Sequence, residues 1–266
     1  MGNIELLKQL RDISFAPLKD CKEALAEAND DLQLAQDILR KKGIAKAGNR
    51  AERETKEGIV RIETRDGWIV GLKLSCETDF VAKNENFQEI FNNVFDQLAT
   101  QKKEVTKMED LDPAFAEKIT AQVQEFMGKT GENMKIAEVL LTAKPWFVYN
   151  HPGNRVATII EYIGDDENVA KEVALQVTAM NPTFLSFDEV DKDEIAKLTS
   201  EFTEELKAAG KPEAMIAWIV EWKIKKALAE NVLLEQEYIR DPAKKIKDIL
   251  PAGFQVTGFK RIALWS

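Results

Sequence analysis

Apolar positions along this chain change period several times, and each change marks a boundary. From the start to about residue 43 they recur at three- and four-residue steps, the pattern of amphipathic helices. Ile4, Leu7, Leu10 and Arg11 share one face, and Ala16-Pro17 breaks the run, the proline suiting the first turn of a new helix. Cys21, Ala24, Leu25 and Ala28 line the second helix. Asn29-Asp30-Asp31 supplies a turn and an N-cap. Leu34, Ala35, Ile38 and Leu39 predict the buried stripe of a third helix, closed by Lys41-Lys42-Gly43 with a basic last turn and a glycine stop. About forty residues make a marginal core alone, so the unit reads as a docking module. Positions 44–57 are small or charged and read as a solvated connecting helix. Lys46, Arg50, Arg53 and Lys56 alternate there with Glu52, Glu54 and Glu57, which argues against a basic nucleic-acid patch.

At Gly58 the period becomes two. Val60, Ile62 and Thr64 alternate with Arg61 and Glu63, Arg65-Asp66-Gly67 makes a turn, and Trp68, Val70, Leu72, Leu74 and Cys76 return on one face. Phe87, Ile90, Phe91, Val94, Phe95 and Leu98 then predict a helix with a wide apolar stripe, and Phe115, Ile119, Val123 and Phe126 a second one over about 113–127. The cycle repeats. An apolar stretch from Ile136 to Leu141 leads to Trp146-Phe147-Val148-Tyr149, a turn at Pro152-Gly153-Asn154, and a strand through Val156, Ile159 and Tyr162. A helix with Val169, Val173, Ala174 and Val177 follows. Strand hairpin followed by helix, twice, predicts an α+β fold with two related halves, each carrying an antiparallel sheet.

From Phe187 to about Leu234 two long helices are expected. Ile195, Leu198, Phe202, Leu206 and Ala209 form one seam, Gly210-Lys211-Pro212 reverses the chain, and Ile216, Val220, Ile224 and Leu228 form the returning stripe. Trp218 and Trp222 sit on a neighbouring stripe that needs cover, either from the parent domain or from a second copy of the chain. Strand-like sequence resumes in Phe254-Gln255-Val256-Thr257-Gly258-Phe259, so the hairpin reads as a protrusion from the second half.

Between the second strand and its helix lies Cys76-Glu77-Thr78-Asp79-Phe80-Val81-Ala82-Lys83-Asn84-Glu85-Asn86-Phe87. Thr78 or Asp79 can cap a helical turn with Phe80 buried beneath it. Alternatively, the strand and helix already fill a core, and Asp79-Phe80 projects as an acidic-aromatic wedge of the kind that anchors interfaces.

Composition removes whole classes of function. The 266 residues are 44% hydrophobic and 31% charged, ordinary for a soluble globular protein with two or three compact units. The formal net charge of −9 and isoelectric point near 5.0 oppose broad binding to nucleic acid or an anionic membrane. No apolar run approaches the ~18 residues of a membrane span, and the first twenty residues lack the apolar core of a signal peptide. Cys21 and Cys76, far apart and alone, fit a reducing cytoplasm, with neither a disulfide framework nor a cysteine zinc site. His151 is the only histidine, so two-histidine metal sites are excluded. Gly128-Lys129-Thr130 resembles the end of a phosphate-binding loop, but Val123 stands where that motif needs its first glycine. No cofactor and no enzyme activity are expected.

An ordered set of blocks resembles the elongation factor Ts family, the nucleotide-exchange factors of the GTPase elongation factor Tu. They are Leu10-Arg11, Asp20-Cys21-Lys22-Glu23-Ala24-Leu25, Leu39-Arg40-Lys41-Lys42-Gly43, the stretch from Cys76 to Phe87, Tyr149-Asn150-His151, Ala179-Met180-Asn181-Pro182, Leu233-Leu234-Glu235-Gln236 and Val256-Thr257-Gly258-Phe259. The resemblance spans essentially the whole chain. It implies a small N-terminal three-helix (UBA-like) module with its linker helix over 1–55, a first core subdomain over 56–140, a second over 141–186 and 235–266, and a protruding helical hairpin over 187–234. It also implies that Thr78, Asp79, Phe80 and Val81 dislodge magnesium in the GTPase, Phe80 pushing between helices of the nucleotide domain. Leu10 and Arg11 would dock on another part of that domain, and His151, Ile239 and Arg240 would approach other surfaces of the partner. The implied partner is elongation factor Tu in its GDP form, with no direct nucleic acid and no membrane, and with a homodimer contact through the hairpin as one reading of its exposed stripe.

Three departures bear on this. Ser14-Phe15-Ala16-Pro17-Leu18-Lys19 replaces the family's usual Thr-Gly-Ala-Gly-Met-Met, so its methionine contacts do not transfer to Lys19. Pro152-Gly153-Asn154 follows the histidine where small residues or glycines are usual. Some members continue into a further C-terminal module, and with Trp265-Ser266 so soon after the last block that contact is expected to be missing. Two rivals remain: a non-catalytic assembly or chaperone-like partner of the GTPase, and an enzyme using His151 as general base beside Tyr149, Asn150 and Arg155.

Overall fold

The computed structural model describes residues 4–14, 16, 18–48 and 53–265. Phe15, Pro17, Arg50 and Glu52, and the side chain of Lys46, on which parts of the reading above rest, lie outside the described residues. In chain order the elements are α1 (Ile4–Ser14), α2 (Leu18–Glu27), α3 (Leu32–Gly48), β1 (Glu57–Arg65), β2 (Trp68–Cys76), α4 (Asp79–Ala82), α5 (Glu85–Ala99), α6 (Pro113–Thr130), β3 (Met134–Thr142), β4 (Phe147–Asn150) and β5 (Val156–Ile163). There follow α7 (Glu167–Met180), α8 (Lys192–Ala208), α9 (Glu213–Leu228), β6 (Glu237–Tyr238), β7 (Asp241–Lys245), α10 (Ile246–Ile249) and β8 (Gln255–Ala263). The fold is α+β, as the patterning predicts. The chain divides into two compact units, one holding 1–145, 150–157 and 262–266 and the other 146–149 and 158–261.

In the first unit, α1, α2 and α3 close a small core around Leu10, Cys21, Ala24, Leu25 and Ala35. Asp31 caps α3 through a hydrogen bond from Leu34 N–H to its Oδ1 at 2.9 Å. Two expectations fail here. Gly43 does not end α3, which runs to Gly48. One glycine costs only about 1 kcal/mol within a helix, the Ala and Lys residues after it propagate the turn well, and α3 packs along α6. Leu34 and Ile4 are exposed, because Ala35 and Leu10 take the inward positions of their helices.

The first sheet has the order β1-β2-β3, antiparallel throughout. Asp66 and Gly67, both at positive φ (49° and 77°), make the tight turn between β1 and β2 that matches strand twist. Where Gly58 faces Ser75, a Cβ would stand 2.1 Å from the Leu74 carbonyl oxygen, so only glycine fits. Helices α5 and α6 cover one face with Phe87, Phe91, Phe95, Leu98, Ile119 and Val123 buried among Leu72, Leu74 and Leu141. Strand β1 is an edge, and its donors are not left open. Val60 N–H donates to the Asn154 carbonyl at 2.8 Å, and Ile62 N–H donates to Asn150 Oδ1 at 2.9 Å. Asn150 Nδ2 returns a bond to the Ile62 carbonyl at 2.7 Å, so an amide side chain stands in for a strand residue.

The second unit is built on the sheet β4-β5-β8, packed by α7 through Ala170, Val173, Ala174 and Val177. Helices α8 and α9 form the expected hairpin, closed at its base by Val190, Leu228 and Val232 and further out by Leu206, Ile216 and Val220. Ala209 lies beyond α8 at the turn, and Pro212 precedes α9 as its N-cap residue. Trp218 (67% exposed) and Trp222 (52%) stay in solvent, so cover from the parent domain is not found.

Candidate functional site

The candidate site forms where β2 and β3 stop pairing. Their ladder ends at Cys76 opposite Met134, and the backbone donors just beyond need new acceptors. Two carboxylates supply them crosswise. Glu77 Oε1 accepts from Asn133 N–H at 2.6 Å, and Glu132 Oε2 accepts from Thr78 N–H at 3.0 Å. Thr78 Oγ1–H also donates to Glu132 Oε1 at 2.6 Å. Arg53 Nη1 reaches Glu77 at 3.3 Å, and Asn133 Nδ2 donates to the Arg53 carbonyl at 2.6 Å. The β2 exit is therefore clasped at its mouth by side chains from the β3 entrance.

Thr78 then caps the single turn α4, accepting from Val81 N–H at 3.4 Å. A cap satisfies one of the first orphan donors of a turn and fixes its direction. Once that direction is set, the side chains sort themselves. Val81 and Ala82 pack against the core of the first unit, while Phe80, next to them on the outer side of the turn, is 83% exposed. The alternative of a buried Phe80 is not what the chain adopts. Asn84 caps α5 by accepting from Asn86 N–H at 2.9 Å, so a second helix starts three residues after α4 ends.

Charge at the tip is modest and local. Lys83 Nζ donates to Asp79 Oδ2 at 2.7 Å, and this bond holds the Asp79 carboxyl below its usual range. Asp79 is thus an anion at neutral pH, half exposed and shared with a lysine in solvent. Cys76, just beneath, is chemically quiet. Burial pushes its thiol up to about 12, with the Glu132 and Glu57 charges adding to the effect, while its S–H donates to the Thr78 carbonyl at 3.2 Å. Gly128, Lys129 and Thr130 lie at the end of α6, and Lys129 pairs with Glu125 at 3.4 Å. They form no phosphate cradle.

The remaining residues sit on other elements. Leu10 is fully buried in the three-helix core, while Arg11 beside it is exposed. His151 is exposed at the turn after β4, its N–H donating to the Val156 carbonyl at 3.0 Å. In the second unit, Ile239 and Arg240 occupy the tip between β6 and β7. Ile239 N–H donates to Gln176 Oε1 at 3.0 Å, and Arg240 Nε pairs with Glu172 at 2.9 Å. Of the nine candidates, Thr78 to Val81 share one capped turn, and Ile239 and Arg240 share the tip between β6 and β7. Sequence reasoning missed Glu132, Glu77, Asn133 and Lys83. Lys83 was legible at four residues from Asp79, but Glu132 and Asn133 lie more than fifty residues from their partners, and only the strand register reveals them. Among the described residues no group of histidine, cysteine, aspartate or glutamate side chains could hold a metal ion, and no helix is long and apolar enough to cross a membrane.

Comparison with known proteins bears on the same region. The sequence model described as Elongation factor TS matches residues 77–264, beginning at the clasp. A protein named Elongation factor Ts from Hydrogenobaculum sp. (strain Y04AAS1) is 38% identical over 267 aligned residues, covering 98% of this chain and 97% of its own. One of the same name from Porphyromonas gingivalis is 37% identical over 268 aligned residues, with the same coverage.

Proposed function

This chain belongs to the elongation factor Ts family of translation elongation factors, and on that premise we propose that it is a guanine-nucleotide exchange factor. It binds elongation factor Tu in the GDP form, displaces the magnesium ion and lets GDP leave. The observation that carries this reading is Phe80, a solvent-exposed benzyl group on a capped and clasped turn, beside the ionised Asp79.

A GTPase holds its diphosphate through loop amides, a lysine and magnesium, so shifting that shell weakens several charge-assisted contacts together. Phe80 supplies bulk for the shift. Asp79 supplies an anion able to compete for groups around the metal, once Lys83 has been drawn off into solvent. A thousandfold faster release needs about 4 kcal/mol off the barrier. A well-seated aromatic anchor with a buried polar neighbour supplies energy of that order. Linkage then requires bound nucleotide to weaken the factor's own grip by the same ratio, so the factor recycles without covalent chemistry. Arg11, His151, Ile239 and Arg240 serve as further contacts on the partner. Leu10, being buried, serves by holding α1 in shape for Arg11. The cytoplasm is the setting, and the four-part division into docking module, two core subdomains and hairpin is the working domain plan.

The test is release of a fluorescent GDP from purified elongation factor Tu. Substoichiometric amounts of this protein accelerate release, and a Phe80→Ala, Asp79→Ala double variant slows it by at least tenfold, a loss of about 1.4 kcal/mol of barrier lowering. Unchanged release by the double variant rejects the wedge. Tight binding without acceleration supports the rival reading, a non-catalytic assembly or chaperone-like partner. A second reading concerns the hairpin. Met215, Trp218 and Trp222 expose one apolar stripe of α9, which suits contact with a second copy. Sedimentation then gives twice the chain mass, and Trp218→Glu returns it to the monomer value.

A further inference from the structure

Nothing in the exchange reading explains why the turn carrying Phe80 should keep one direction. It is four residues long, too short to be stable as a helix by itself. It has no partner above it in solvent, and Phe80 contributes nothing to its own anchorage. We propose that Glu132 is the positioning residue of the wedge. Its carboxylate holds Thr78, and through Thr78 the axis of α4, so that Phe80 meets the partner already aimed. The inference rests on the exchange reading above and deepens it.

The geometry is specific at both ends of the contact. Each Glu132 oxygen accepts one donor from the same residue, Thr78 N–H at 3.0 Å and Thr78 Oγ1–H at 2.6 Å. With its proton committed to Glu132, Thr78 Oγ1 has its lone pairs free to accept from Val81 N–H at 3.4 Å. The carboxylate therefore sets the rotamer that makes the cap. Glu132 is itself fixed in place. Gly131 turns the end of α6 through the left-handed region (φ 81°), its N–H bonded to the Met127 carbonyl at 2.9 Å. Thr130 Oγ1 accepts from Glu132 N–H at 3.4 Å, and Asn133 is held by Glu77 and the Arg53 carbonyl. The chain of restraint runs from the α6 terminus and the sheet through one carboxylate to the exposed ring. An apolar residue at 132 would leave the Thr78 hydroxyl free to rotate and the cap undecided.

A residue that only stabilised the fold and one that aims the wedge differ in a measurable way. Aiming matters while the GTPase site is being opened, so its loss lowers the maximal release rate and leaves the half-saturating concentration alone. Glu132→Ala, Glu132→Gln, Thr78→Val and Phe80→Ala are compared with the full-length parent in the fluorescent GDP release assay, over a range of factor concentrations. Hydrogen exchange of the 81–83 amides is followed in the free protein. Hydrogen bonds to a charged group are worth enough to predict a fall of roughly tenfold or more in maximal rate for Glu132→Ala, with half-saturation within about twofold. Glu132→Gln recovers to within about threefold of the parent, since its amide still accepts from Thr78 N–H and its NH2 can donate to Oγ1. The 81–83 amides exchange faster in Glu132→Ala than in the parent. If Glu132→Ala does not fold, Thr78→Val, which keeps the shape and removes the hydroxyl, carries the test with the same expected split. Parental release by Glu132→Ala, or by Thr78→Val in its place, alongside slow release by Phe80→Ala overturns the positioning role and leaves the wedge standing. A rate loss in Glu132→Ala that appears entirely as weaker half-saturation also overturns it. Parental release by Phe80→Ala overturns the exchange reading itself, and this inference with it.

Discussion

Phe80 and Val81 are adjacent and apolar, yet only Val81 is committed to the core. Periodicity alone places Phe80 wrongly. Counting back seven residues from the buried Phe87 puts position 80 on the same helical face, so a continuous helix would bury it. The helix is not continuous. Asn84 stops α4 and caps α5, and that restart resets the phase. A single asparagine between two short apolar runs is a weak signal in a sequence, which is why the residues alone left burial and projection both readable there. Since the ring contacts little of its own protein, Phe80→Ala changes the free energy of unfolding by less than about 0.5 kcal/mol in urea titrations. Val81→Ala costs about 1–2 kcal/mol for the two carbon atoms withdrawn from a packed position. The reverse order of effects would mean that the ring props up the fold and is not free to reach a partner.

At the level of elements, the first strand hairpin, the wide-striped α5 and the α8–α9 pair were legible because each carries its period over eight or more residues and ends on a turn residue with a physical reason. Asp66-Gly67 is one such reason, and the crowding at Gly58 is another. These two glycines separate conformational from steric demand. At Gly67 an added Cβ meets nothing within 4 Å, so Gly67→Ala costs only the left-handed backbone penalty, about 1–2 kcal/mol. At Gly58 the same methyl collides with the backbone of Leu74 and Ser75, and its φ of 142° is one that side chains avoid. Gly58→Ala should therefore cost at least about 3 kcal/mol and shift the urea midpoint well beyond that of Gly67→Ala. Equal shifts would mean that β1 slides to relieve the contact. What the sequence could not disclose were the joints between elements. Asn150 completing the β1 edge and Glu132 holding Thr78 are contacts across 88 and 54 residues, and no local window contains both partners. The overrun of α3 past Gly43 has the same origin, since its packing on α6 is a tertiary contact that local stop signals do not anticipate.

For the molecule as a whole, the titrating groups that folding perturbs set limits at both ends of the pH range. In the second unit, burial would raise the Glu235 carboxyl, but bonds from Lys245 (2.7 Å) and Lys247 (2.8 Å) outweigh it and hold the carboxyl below 4.5. A depressed carboxylate contributes stability that is complete above its unfolded value and lost as pH falls through the folded one, so this part of the acid limb lies below about pH 4.5. In the first unit, Cys76 moves the other way, from 9.0 to about 12, chiefly through burial. An acid kept protonated by the fold contributes stability that is complete below its unfolded value and lost as pH rises toward the folded one, placing this limb between about pH 9 and 12. Tyr162 and Tyr238, also raised by burial, add to the alkaline limb from the second unit. Urea unfolding measured across pH should then show a plateau between these limits. Glu235→Gln lowers the plateau and flattens the acid slope while leaving the alkaline one unchanged. Cys76→Ala lowers the plateau through the lost sulfur packing and flattens the alkaline slope, most clearly between pH 9 and 10, where the tyrosines have hardly begun to ionise. A Cys76→Ala curve that keeps the parental slope over that interval would mean that the thiol beneath the clasp is hydrated in solution, and that the β2 exit opens more readily than its hydrogen bonds imply.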